Sequence, residues 1–298
     1  MKLLFEEHSE QNAARTAILM SGTGSNACAL LEYCRTHACA WSPQLLLTDN
    51  PRCCAKEVAE KYALALETAD IYEFYRQNGS DNIRLENENQ RNLRSRWSGM
   101  LYEILQHYEI ELVLFAGFVP LTNLTEKLPC LNVHPGDLTC LEADGSRTFA
   151  GLHYAPVEKA LCRRFSGTRS SVILAQPYTG SGKNEMDTGP VLGISEQILF
   201  DLPEGSIEEL IRIQNMRQGK PAEKTDRLRQ TAAGHIEKMK RHGDHVIFPQ
   251  AADDFARGRF ALDDAGQLLF RQDCGSWAAI CSVEYRKDGR KLLERSEK

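Results

Sequence analysis

The chain has 298 residues, 42% of them hydrophobic and 8% aromatic, enough for one large packed α/β domain or a domain with an appendage. Its formal net charge of −5 excludes the strongly basic surface on which general nucleic-acid binding depends. The longest apolar run, "ELVLFAGFVPL", stops at 11 residues, short of a membrane span, and "MKLLFEEHSE" puts acids where a secretory leader keeps an apolar core, so a cytoplasmic protein without membrane contact is expected.

The first apolar run, 17–20, leads into the small-residue turn of "AILMSGTGSNA" and a helical stretch over 26–35. Apolar runs at 44–48 and 110–116, each bounded by turn residues, have the pattern of buried parallel strands. Helical stretches at 52–63 and 96–108 accompany them, and this alternation predicts an α/β fold with a doubly wound, mostly parallel sheet. Residues 78–92 read as an exposed polar insertion, and Arg91, Arg94 and Arg96 as a solvated helix start. "CLNVH" at 130–134 and "TRSSVILAQPY" at 168–178 add strands, 190–200 an outer strand pair, 216–228 a linker and 228–241 a helix. The tail carries two hairpin signals, "FALDDAGQLLF" and "VEYRKDGRKLL", and so predicts a β-rich C-terminal extension. None of the ten cysteines forms a CxxC pair; they read as small buried residues of a reducing compartment, and no metal site is expected.

The turn at 21–26 is suited to an anion, because glycines let backbone N–H groups approach it and the following helix lends the positive end of its dipole. Gly22-x-Gly24-x-x-Ala27 fits a dinucleotide fingerprint, with Asp49 closing the next strand where a ribose-binding acid would stand, the reading of an NAD-binding oxidoreductase. Two details favour a terminal phosphate instead. Ser25 and Asn26 add side-chain donors, and Asn50-Pro51 after Asp49 suits a simple turn.

Residues 131–136 read "LNVHPG". Side chains two apart on a strand share a face, so Asn132 and His134 reach one pocket, and Pro135 keeps His134 extended. An amide donor beside an imidazole can stabilise negative charge developing on a carbonyl oxygen, and the imidazole can also move a proton. Asp187, in "NEMDTGPVL", stands in a Gly/Pro-flanked loop from which a carboxylate can orient that imidazole or take a proton through water.

"ILMSGTGSNACALL", "IELVLFAGF", "LNVHPG", "GLHYAPVEKAL" and "MDTGPVL" occur in that order over roughly 15–260, and together they resemble the folate-dependent formyltransferase family, closest to its phosphoribosylglycinamide (glycinamide ribonucleotide) branch. The resemblance implies formyl transfer from 10-formyltetrahydrofolate to the amine of a phosphorylated substrate, as in purine biosynthesis. It implies catalytic Asn132, His134 and Asp187, and a substrate phosphate on Gly24, Ser25 and Asn26. Asp244, in "HGDHVIFP", falls where relatives hold the substrate ribose, and Phe118, Val119 and Leu121 where they border the folate. It further implies a formyltransferase-like domain over 1–250, its substrate-binding half at about 15–120 and its catalytic, folate-binding half at about 121–215, with the extension at 251–298. Small-molecule partners and a monomer or homodimer go with this reading. Departures are local: the family's His-Pro-Ser and Leu-Leu-Pro stretch is here His134-Pro135-Gly136 followed by "DLTCLEADGSRT", and Gly-Phe is followed by Val119-Pro120 instead of Met-Arg. A formyltransferase for another phosphorylated amine and a formyltetrahydrofolate hydrolase share the same catalytic set.

Overall fold

The computed structural model describes residues 1–178, 185–203, 205–217, 223 and 225–294. The N-terminal half alternates strand and helix: β1 (Ala14–Met20), α1 (Ser25–Thr36), β2 (Trp41–Thr48), α2 (Ala55–Tyr62), β3 (Ala65–Thr68), α3 (Ile71–Gln77), α4 (Glu88–His107), β4 (Leu112–Phe115) and β5 (Cys130–His134). The second half supplies α5 (Ala155–Cys162), β6 (Ser171–Leu174), β7 (Val191–Ser195), α6 (Ser206–Met216), α7 (Arg227–Met239), α8 (His245–Ala256), β8 (Ser282–Arg286) and β9 (Gly289–Leu293). These nine strands form one sheet in the order β9-β8-β7-β6-β5-β4-β1-β2-β3.

β3, β2, β1, β4 and β5 run parallel, β6 is antiparallel to both β5 and β7, and β8 is parallel to β7. Alternation along β1 explains the layers. Ala17 and Leu19 pack on one face with Trp97 and Leu101 of α4, while Ile18 and Met20 pack on the other with Leu30, Val58 and Phe248 of α1, α2 and α8. Strand order reverses at β1, between β2 and β4, so a crevice opens beyond the carboxyl ends of β1, β4 and β5, the place where such sheets bind ligands.

Four local outcomes differ from the sequence pattern. α4 begins at Glu88 because Asn87 and Gln90 form a capping box, so the polar insertion is shorter than expected. Arg94 is buried instead of solvated, donating to the Tyr75 hydroxyl at 3.2 Å and to the Leu121 and Ile83 carbonyls at 2.9 and 2.6 Å. The expected outer strand pair separates: β7 joins the large sheet, and Ile198–Leu199 pairs with Gly167–Thr168. The two tail hairpins also part company. Phe260–Leu262 and Leu268–Arg271 build a small antiparallel sheet with Lys2–Leu3 and Trp277–Ala279, whereas β8 and β9 extend the large sheet past β7. Among the described residues no helix is long and apolar enough to cross a membrane.

Candidate active site

β5 ends at the crevice, and its alternation presents both Asn132 and His134 to a cavity of about 560 Å³. Asp187 reaches the same cavity from the short helical turn Glu185–Thr188, its Oδ2 lying 3.6 Å from His134 Nδ1. The second ring nitrogen, Nε2, donates to the Phe149 carbonyl at 2.8 Å. A carbonyl can only accept, so the neutral ring carries its proton on Nε2 and turns its Nδ1 lone pair toward Asp187. His134 is 4% exposed and Asp187 14%, so the pair is held largely away from solvent.

The cavity's other end is built from α1 and the break between α7 and α8. Gly24 precedes α1 at φ +75°, and a Cβ there would meet Val58 Cγ2 at 2.9 Å, so this turn needs glycine twice over. α1 has no side-chain cap and no acid in its first turn, which leaves its N-terminal N–H groups available to an anion. Asn26 lines the cavity; Gly24 and Ser25 lie behind it at the start of the helix. Lys240–Asp244 forms a π turn between α7 and α8, and it turns Lys240 and Asp244 into the same cavity. The Asn26 amide donates to Asp244 Oδ2 at 3.1 Å. Burial pushes the Asp244 carboxyl above its ordinary value, with the Ser170 hydroxyl and then this amide pulling the other way. Asn26 Oδ1 and Asp244 Oδ1 are both buried without a hydrogen-bond partner among the described residues. The Ser170 hydroxyl also lies beside the Asp244 carboxylate, so the Asn26–Asp244 pair is a buried polar group at the edge of the cavity.

Phe118, Val119, Leu121, Leu152 and Tyr178 contribute apolar surface to the cavity. Phe118 stacks between Trp97 and Phe115 at centroid distances of 6.1 and 5.7 Å. Ser21 ties the loops together: its hydroxyl donates to Asp49 Oδ1 at 2.5 Å and accepts the Val119 N–H at 2.9 Å. Asp49 is thus engaged in holding the loop after β1, and burial raises its pKa. A second cavity of about 1020 Å³ shares Val119, Pro120, Leu121 and Tyr178 with the first and is lined by Arg52, Arg76 and Arg84 together with Asp49, Asp70 and Asp81.

No protein-family profile matches the chain, and no curated protein matches it in sequence. Solved structures do match. Glycinamide ribonucleotide transformylase 1 from Symbiobacterium toebii is 21% identical, with 85% of this chain and 92% of that one covered at a TM-score of 0.53. Phosphoribosylglycinamide formyltransferase from Anaplasma phagocytophilum is 16% identical over 88% and 96% of the two chains, TM-score 0.55. The chain has the formyltransferase fold. A formyltetrahydrofolate deformylase from Pseudomonas syringae pv. tomato shares the formyltransferase fold at 9% identity, over 88% of this chain and 67% of that one, TM-score 0.57.

On this formyltransferase fold, Asn26, Phe118, Val119, Leu121, Asn132, His134, Asp187 and Asp244 line one cavity, with Gly24 and Ser25 just outside it. Three participants have no signal in the sequence motifs. The Phe149 carbonyl is backbone and invisible to residue type. Lys240 was readable only as one cation in a basic helix end. Arg147, which donates to the carbonyls of Thr188 and Gly189, stands in the segment where the motif order departs from the family pattern.

Proposed function

We propose that the chain transfers a formyl group from 10-formyltetrahydrofolate to the amine of a phosphorylated ribose-bearing acceptor, glycinamide ribonucleotide being the best candidate. The observation that carries this is one cavity lined both by Asn132, His134 and Asp187 and by the Asn26–Asp244 pair at the start of α1. In this reading the acceptor's ribose hydroxyls satisfy Asn26 and Asp244. Its phosphate meets the uncapped start of α1 at Gly24, Ser25 and Asn26, near Lys240, whose ammonium is held by Glu237 at 2.6 Å. The donor's ring system lies against Phe118, Val119 and Leu121.

At the reacting centre the acceptor amine attacks the formyl carbon. The Asn132 amide donates to the formyl oxygen as negative charge develops on it. His134, oriented through Nε2, presents Nδ1 for the proton released by the amine. Asp187 stabilises the imidazolium so formed, and the proton passes on to the departing folate nitrogen. A step in purine biosynthesis and a cytoplasmic location are part of the same proposal. The test is tetrahydrofolate release by the purified chain with and without glycinamide ribonucleotide. Release that requires the acceptor supports the reading, and release without it makes the protein a hydrolase.

A further inference from the structure

The segment between β5 and α5 does more than connect them. Gly136 lies against the bond between His134 Nε2 and the Phe149 carbonyl: a Cβ at 136 would sit 2.7 Å from that carbonyl oxygen and 3.1 Å from Nε2. Two residues before Phe149, Arg147 points the other way and donates through Nη2 to the carbonyls of Thr188, at 3.4 Å, and Gly189, the two residues that follow Asp187. Its Nη1 is buried without a partner among the described residues, and burial lowers its pKa, the nearby Asp187 carboxylate pulling the other way. The segment is itself anchored. Thr148 N–H donates to the Cys140 carbonyl at 2.9 Å, and Ser171 of β6 donates its hydroxyl to Gly136 O at 2.7 Å while accepting the Leu138 N–H at 3.0 Å.

We infer that residues 147–149 are a brace that sets His134 and Asp187 relative to each other, Phe149 O fixing the imidazole's protonated edge and Arg147 fixing the loop that carries the carboxylate. Arg147, Gly136 and the Phe149 carbonyl are positioning groups, and the inference deepens the formyl-transfer reading while resting on it for its kinetic consequence. The brace explains why glycine follows His134-Pro135. Serine or alanine at 136 would have to displace either the carbonyl or the ring.

The test uses the full chain with its histidines labelled with nitrogen-15, observed without ligands. The wild-type neutral His134 ring should carry its proton on Nε2, and Gly136→Ala should abolish that preference. A wild-type ring protonated on Nδ1, or a folded Gly136→Ala ring indistinguishable from wild type, overturns the brace. These ring signals need no activity, so they stand apart from failure of the formyl-transfer assay. If Gly136→Ala does not fold, Arg147→Met and Arg147→Lys decide. Misplacement of a catalytic group by about 1 Å can cost about 100-fold in rate, so Arg147→Met should lower kcat by about 10- to 100-fold while both KM values stay within about twofold. Arg147→Lys, which keeps the charge and one donor, should recover part of the loss. Unchanged kcat in Arg147→Met, or KM rising in step with the loss of kcat/KM, overturns it.

Discussion

The two ends of the central cavity are polar in opposite ways. At the β5 end the protein itself fixes the imidazole: His134 donates to Phe149 O and faces Asp187. At the α1 end it leaves Asn26 Oδ1 and Asp244 Oδ1 buried and unpaired, although burying an unsatisfied polar atom costs about 1–3 kcal/mol. A group that must act on developing charge gains from being fixed beforehand, since reorganisation then costs nothing during the reaction. A group that must recognise a ligand gains from holding its bonding capacity in reserve, because a ligand that pairs with it then removes that penalty. The first end is where chemistry is expected to depend on a residue, and the second where affinity is.

That contrast predicts different kinetic signatures. Removing the imidazole with His134→Ala should lower kcat by about 10²–10⁴-fold, the range for losing a positioned acid–base group, with KM for the acceptor little changed. Steady-state kinetics with saturating donor would show this. Asp244→Asn should do the reverse. Loss of a hydrogen bond to a charged group is worth about 1.5–3 kcal/mol, so KM for glycinamide ribonucleotide should rise roughly 10- to 100-fold with kcat nearly intact. A large drop in kcat from Asp244→Asn would erase the distinction between the two ends.

The pH dependence of acceptor binding sharpens the same contrast. Because burial raises the Asp244 carboxyl above the ordinary 3.8, it takes up a proton earlier as pH falls than an exposed carboxylate does. Calorimetric affinity for glycinamide ribonucleotide should therefore begin to weaken at a higher pH than an ordinary carboxylate would allow as the solution is acidified, and Asp244→Asn should flatten that slope. An equally steep slope in the variant would assign it to another group.

The smallest expected effect lies in the wall shared by both ends. α7 is anchored by Arg217, which bonds Glu158 of α5 at 2.7 Å and Asp226 at 2.8 Å, with Arg229 on Glu158 at 2.7 Å. The bond from Arg217 holds the Asp226 carboxyl at about 2, below its ordinary 3.8. This contribution to stability is complete above about pH 4 and is lost as pH falls through 2. Asp226→Asn keeps a helix-capping side chain but loses the charge. Its melting temperature should sit a few degrees below wild type at neutral pH, and the gap should close in acid.

What could be read from the residues alone was whatever a short stretch encodes locally. Leu45–Leu47 and Leu112–Phe115 declare buried strands by unbroken apolarity, and Asn132 and His134 declare a shared face by spacing alone. Partnerships set by distant chain segments were not legible. The second hairpin signal could not say that Val283 pairs with Gly193 of β7. Arg94 looked solvated among charges because its acceptors, the Ile83 and Leu121 carbonyls and the Tyr75 hydroxyl, come from other segments of the chain. At the site, Asn26 read as a phosphate donor, yet its amide is directed to Asp244, 218 residues away. The Phe149 carbonyl shows the limit most clearly, since any residue type would supply it.

The most direct test of the account is a single-turnover measurement of tetrahydrofolate formation from 10-formyltetrahydrofolate by the wild-type chain, with glycinamide ribonucleotide varied from zero to saturation. The account predicts negligible formation at zero acceptor and a rate that rises hyperbolically to a plateau, with formylated acceptor produced one for one. Formation at the same rate with no acceptor present, or none at any acceptor concentration, would contradict it.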